Sequence, residues 1–158
     1  MSSQLTGLYL PYSVVLDDFD NDQDIDMAVV QNTSTGVPYY TNDGNGTFTQ
    51  KSYFTAGSQP VFIIAADFNH DNYIDLATAN SYDNYLTVAL NDNAGGFTDT
   101  VRINSGISVY ICSGDLDNNA SIDILSINKY SNKISLFKNK PSFADIEFPI
   151  KNINFRTV

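Results

Sequence analysis

Three short apolar runs, "PYSVVLD", "PVFIIAA" and "SVYICSG", each lead into a polar stretch of nine residues, and each polar stretch returns to an apolar run, "MAVVQN", "LATANS" or "ILSINK". Further on, "GVPYYTNDGNGTF" matches "YLTVALNDNAGGF" and, more loosely, "KISLFKNKPSF". The apolar runs are four to seven residues long and rich in Val, Ile, Tyr, Phe and Thr, and Asp/Asn/Gly clusters separate them. That is the signature of strands and turns. No segment sustains helical periodicity. In the second unit the pattern predicts strands at about 61–66, 74–79, 85–90 and 97–103. "NDGNG" and "NDNAGG" supply the glycines that hairpin turns use at positive φ.

The unit recurs with a period of about 48 residues, since the first aspartates of the polar stretches are Asp18, Asp67 and Asp115. A period of that size marks a repeat architecture. Four antiparallel strands per repeat predict an all-β chain made of β-propeller blades. Three units are expected, at about 11–59, 60–107 and 108–155. "QLTGLYLP" aligns with "YFTAGSQP" and "FRTV" with "PYSV", which predicts partial strands at both ends. Propellers normally close with four to eight blades. Two outcomes are therefore expected: three blades of a longer propeller, or a unit, natural or engineered, that closes by homodimerisation into six blades.

The polar stretches are "DFDNDQDID", "DFNHDNYID" and "DLDNNASID". Positions 1, 3, 5 and 9 read Asp18, Asp20, Asp22 and Asp26, then Asp67, Asn69, Asp71 and Asp75, then Asp115, Asp117, Asn119 and Asp123. Every one of these side chains carries an oxygen. Carboxylates packed this closely repel one another, and a hard dication would turn that repulsion into attraction. Calcium accepts six to eight oxygens in adaptable geometry, so up to three Ca2+ ions are expected. Position 7 is Asp24, Tyr73 or Ser121, and this freedom suits a ligand supplied by the backbone carbonyl. Magnesium is the second choice, because it demands stricter octahedral geometry. An EF-hand would need Glu at position 12, where Val29, Thr78 and Ser126 stand. Scarce His and Cys disfavour transition metals.

The spacing of Asp18, Asp20, Asp22 and Asp26, followed by "MAVVQN" and later by "NDGNGTF", resembles the FG-GAP/VCBS repeats of integrin α-subunit-like propellers. The resemblance covers essentially the whole chain. It implies an extracellular propeller with calcium in the loop joining the first and second strands of each blade. It also implies a role in adhesion, in carbohydrate binding or as an accessory module of a secreted enzyme. The family usually has Gly at loop position 6, where the turn favours positive φ, but this chain has Gln23, Asn72 and Ala120. With four carboxylates, the first loop is expected to bind most strongly. The third, with Ala120 and Asn119, is expected to bind most weakly.

The composition sharpens this picture. The net charge of −10 argues against nucleic-acid binding and against adhesion to anionic membranes. Eleven of the eighteen acidic residues lie in the three loops, and three dications would bring the charge to −4. No apolar run approaches the ~20 residues of a membrane span. "MSSQLTGLYL" does not read as a secretion signal. Cys112 aligns with Val15 and Ile64 and is expected to be buried, and His70, at loop position 4, is expected to face solvent. The strand positions of Tyr39, Phe62 and Tyr110 suggest blade packing, while Tyr12 and Tyr82 are candidates for stacking on a sugar. Sequons occur at Asn32, Asn45 and Asn119. No nucleophile motif or phosphate-binding glycine loop appears, so a non-enzymatic module binding a protein or glycan is expected.

Overall fold

The computed structural model of the chain describes residues 7–140 and the backbone of the strand at 150–153. Among the described residues, twelve strands form three four-stranded antiparallel sheets, each in meander order. The first contains β1 (Pro11–Asp17), β2 (Asp26–Gln31), β3 (Gly36–Asn42) and β4 (Phe48–Thr55). The second contains β5 (Pro60–Ala66), β6 (Asp75–Asn80), β7 (Tyr85–Asn91) and β8 (Phe97–Asn104). The third contains β9 (Ser108–Gly114), β10 (Asp123–Asn128), β11 (Lys133–Phe137) and β12 (Ile150–Ile153). The strands of the second sheet fall within about one residue of their predicted limits. The partial strands expected at the chain ends fall largely on 1–6 and 154–158, outside the described residues.

Each sheet is a propeller blade. First strands of successive sheets pack together, β1 on β5 and β5 on β9, and so form the inner side. Outer strands alternate poorly and are largely exposed, as in β4 and β8. The middle strands are buried on both faces, which is why "DLATAN" has no exposed residue. Side chains alternate along a strand, so each sheet offers one face to the sheet before it and the other to the sheet after it.

Two dry cores result. Between the first and second sheets, Ala28, Val30, Val37 and Tyr39 meet Ile63, Leu76, Ala89 and Phe97. Between the second and third, Ala77, Ala79, Leu86 and Val88 meet Ile111, Ile124 and Phe137. Each core is plugged from above by loop position 2, Phe19 in one and Phe68 in the other, both 1% exposed. Phe97 gathers the first core through edge contacts with Phe19 at 5.6 Å and Tyr39 at 5.1 Å.

At the ends of the middle strands away from the acidic loops, a small polar network replaces apolar packing. Asn80 donates to Tyr85 O at 3.0 Å and to Thr87 Oγ1 at 3.1 Å, and Asn128 repeats this with Ser135 Oγ at 2.8 Å. These amides are buried, and each has partners at both its oxygen and its nitrogen, as buried polar groups need.

Two sequence expectations fail for one reason. Cys112 is exposed, although Ile64 at the same place in the second sheet is packed into the second core. Tyr110 is likewise 43% exposed, although its ring is tilted against that of Phe62 with 4.2 Å between centroids. Both lie on the face of the third sheet that, among the described residues, has no neighbour.

Replacing a buried aromatic that fills a core from above leaves a cavity, so Phe19→Ala is expected to cost about 3–5 kcal/mol in urea unfolding. A loss below about 1 kcal/mol would show that the plug does not hold the sheets together.

Candidate metal centre

Each acidic loop joins the first and second strands of its sheet, and the three share one set of hydrogen bonds. The position-1 carboxylate accepts from the N–H groups of positions 5 and 6. Asp18 does so with Asp22 at 3.2 Å and Gln23 at 2.9 Å, Asp67 with Asp71 at 3.2 Å and Asn72 at 2.9 Å, and Asp115 with Asn119 at 3.1 Å and Ala120 at 2.9 Å. Position 5 accepts from the position-7 N–H: Asp22 from Asp24 at 2.9 Å, Asp71 from Tyr73 at 2.9 Å and Asn119 from Ser121 at 2.7 Å. Such side-chain-to-backbone bonds are how Asp and Asn shape turns.

The turn carries two left-handed residues. Position 6 has φ of 76° at Gln23, 68° at Asn72 and 67° at Ala120, as the family's preference for Gly there implies. Position 4 is also left-handed, with φ of 59° at Asn21, 63° at His70 and 58° at Asn118. Asn tolerates this region, whereas Gln and Ala are strained in it.

Position 9 has a different task. Asp26, Asp75 and Asp123 are all fully buried. One oxygen of each accepts from the position-2 N–H: Phe19 at 3.0 Å, Phe68 at 2.9 Å and Leu116 at 3.0 Å. The other accepts from the N–H of an asparagine sixteen residues on: Asn42 at 2.9 Å, Asn91 at 2.9 Å and Asn139 at 2.7 Å. This aspartate therefore staples the loop to the end of the third strand. The recurrence of Asn42, Asn91 and Asn139 at one spacing from Asp26, Asp75 and Asp123 was visible in the sequence, but the staple it encodes was not foreseen.

The three loops differ in what they gather. In the first, oxygens of Asp18, Asp20 and Asp22 lie within 4.8 Å of one another. Asp20 Oδ1 is buried without a hydrogen-bond partner, the one such side-chain atom among the described residues. Burial, then the charges of Asp22 and Asp18, push the Asp20 carboxyl above its ordinary range. Asp24 turns away from the trio and lies on the β3–β4 hairpin, where a Cβ on Gly44 would stand 2.7 Å from its Oδ2. Its backbone N–H stays with the cluster, donating to Asp22.

In the third loop, Asp115, Asp117 and Asp123 form a second trio within 4.8 Å. Lys138 Nζ sits 2.7 Å from Asp117 Oδ2 and already neutralises one member. Asn119 Nδ2 is turned to Asn139 O at 2.9 Å. The second loop, with Asn69 in place of an acid, forms no such acidic trio among the described residues. There Asn69 Nδ2 donates to Asp71 Oδ2 at 2.9 Å. His70 does not face solvent alone, because its Nε2 is 3.0 Å from Ser121 Oγ and links the second loop to the third.

The oxygen-only donor set, the crowding of negative charge and the orphaned Asp20 Oδ1 fit a hard dication, best in the first loop. Comparison with known proteins agrees on the repeat. Residues 18–78 and 67–126 match the family model described as FG-GAP-like repeat. No curated protein matches the chain.

Burial pushes the Asp75 carboxyl from 3.8 up to about 7; its two N–H donors pull it down, and Asp71 and Asp67 push it further up. The folded chain thus holds this proton more tightly than the unfolded one. The corresponding stability is greatest in acid and is lost as pH rises from about 4 through about 7. In buffer free of divalent cations, Asp75→Asn is expected to flatten that decline in urea titrations. Parallel wild-type and variant profiles would refute it.

Proposed function

The chain belongs to the FG-GAP-like repeat family, and from that footing we propose a calcium-clamped, non-enzymatic β-propeller module that binds a ligand outside the cell. The observation that carries the calcium reading is the first loop: three converging carboxylates, one of them with a buried oxygen that no donor satisfies. Asp18, Asp20 and Asp22 would hold the cation there, with the Asp24 backbone beside them. Asp115 and Asp117 would do so in the third loop, and Asp67, Asn69 and Asp71 more weakly in the second. The bound ion supplies positive charge that cancels repulsion within the loop, and so converts binding energy into folding energy.

A non-enzymatic role is supported by how the loop acids are engaged. Most of their oxygens accept backbone N–H groups that fix the turn, and the position-9 aspartates are sealed from solvent. The extracellular reading rests on the family, whose repeats are typical of secreted and surface proteins. Among the described residues, no helix is long and apolar enough to cross a membrane.

Calcium is expected to raise the melting temperature and a chelator to lower it. Asp20→Asn should remove the largest part of that difference. Lys138→Gln frees Asp117 and should tighten binding at the third loop several-fold by calorimetry. Melting curves that superimpose in calcium and in chelator, with no heat of binding, would overturn the reading.

A second reading, sugar binding, is favoured by a hollow of about 320 Å3 at the other end of the sheets. Tyr12, Tyr82 and Tyr130 line it together with Asn32, Ser81 and Lys129. Exposed aromatic faces beside amides and hydroxyls are the groups that grip a saccharide. A seven-residue first strand separates this hollow from the acidic loops by roughly 20 Å. Calcium would therefore act on sugar binding only through the fold. On a glycan array, signals are expected to survive Asp20→Asn and to fall with Tyr82→Ala. An array without signal would exclude this reading.

A further inference from the structure

The structure contains one sheet-to-sheet interface twice, and the two outermost faces carry the unmatched halves of a third. Two contacts recur in both interfaces, and a third is seen in the first. The plug is the loop-position-2 side chain, Phe19 or Phe68, received by the following sheet. A side-chain amide in that sheet locks the plug: Asn91 Nδ2 donates to Phe19 O at 2.8 Å, and Asn139 Nδ2 donates to Phe68 O at 2.7 Å. Beside the plug in the first interface, a glycine of the following hairpin presses on loop position 3. A Cβ on Gly95 would stand 2.6 Å from the Cβ of Asp20.

The third plug is Leu116, at the place of Phe19 and Phe68, yet it is 49% exposed where they are 1%. Leu125 and Ile127 stand below it at the places of Ala77 and Ala79, and among the described residues no sheet covers their face. Ile127 is 44% exposed.

The receiving half is on the first sheet. Asn42 occupies the place of Asn91 and Asn139. Like Asn91, it donates to its own loop, to Ile25 O at 3.1 Å, where Asn91 donates to Ile74 O at 3.1 Å. It makes no counterpart of the second bond, the one Asn91 gives to Phe19. Gly46 occupies the place of Gly95, and a Cβ there would meet nothing within 4 Å. Val14, Met27 and Val29 stand where Ile63, Leu76 and Thr78 meet their neighbour. They line an apolar hollow of about 350 Å3, with Val14 54% exposed.

We propose that the occupant of each half is a second copy of this chain: the third sheet of one copy packs on the first sheet of the other, twice around a twofold axis, closing a ring of six sheets. Leu116 of one copy packs beside Asn42 and Phe48 of the other, as Phe19 packs beside Asn91 and Phe97, and Leu125 and Ile127 face the first-sheet hollow. Asn42 Nδ2 of the receiving copy donates to the Leu116 carbonyl, and Asp117 lies against Gly46. The choice of occupant rests on continuity with the two internal interfaces, whose lock and plug recur in place on the open faces, together with the glycine of the first. A head-to-tail contact of this kind builds a ring when its rotation closes. Apolar faces of this extent on a dissolved protein call for a cover. The proposal does not depend on calcium.

Light scattering after size exclusion, on the full chain with and without calcium, is expected to give twice the monomer mass, with dissociation on dilution. Val14→Asp and Ile127→Asp alter exposed side chains, so circular dichroism should be unchanged while each variant runs as a monomer. An equimolar mixture of the two restores one intact interface and should recover dimer, a result that a symmetric patch-to-patch contact cannot give. Asn42→Ala should weaken the dimer about tenfold while leaving the monomer folded. A wild-type monomer at every concentration would show that something other than a second copy covers these faces, and would overturn the proposal. A dimer indifferent to both aspartate substitutions would also overturn it, and a ladder of larger species would overturn the closure.

Discussion

A buried carboxylate held by two backbone N–H groups, one from its own loop and one from the third strand, organises each repeat. Asp26, Asp75 and Asp123 make this pair of bonds with the same partners in all three sheets. Both donors belong to backbone that cannot enter a sheet ladder at that point, so without the carboxylate they would be buried and unsatisfied. The staple fixes where the acidic loop stands above the sheet. It thereby aims position 2 into the gap between sheets, and the core is closed by the same residue whose amide the staple holds.

The acidic loops can then be divided by task. Position 1 shapes the turn and position 9 anchors it, both through hydrogen bonds that need no ion. Position 3 is only partly employed in the first loop, where a backbone bond from Asp22 reaches Asp20, yet Asp20 is pushed together with Asp18 and Asp22 and keeps one oxygen without a donor. The turn geometry is thus encoded independently of the cation, and the charge imbalance is what a cation would settle. The third loop reaches a partial settlement of its own through Lys138. The second loop gathers no acidic trio among the described residues, so the largest unsettled charge is in the first loop.

Much of this was legible in the chain. The period located all three acidic loops, and alternation located the second-sheet strands nearly to the residue, because strand periodicity and turn chemistry are local properties. Positive φ at Gln23, Asn72 and Ala120 followed from the motif, while the matching positive φ at Asn21, His70 and Asn118 did not. Asn at the third-strand end and Lys138 above Asp117 were missed. Their partners lie sixteen and twenty-one residues away, and only the folded hairpin brings them together. His70 was misjudged for a related reason: its partner, Ser121, is in the next repeat.

By itself, then, the sequence determined the repeat, the strand order within each sheet and the identity of the oxygen-bearing loop positions, since each is written within one repeat. The tertiary structure decided which of those oxygens remain free, which aromatic plugs are covered and which faces stay open. Leu116 matches buried positions in the repeat, and Cys112 and Tyr110 match half-buried ones, yet all three stand exposed, because burial depends on the neighbouring sheet and no residue's own pattern records whether that neighbour is there.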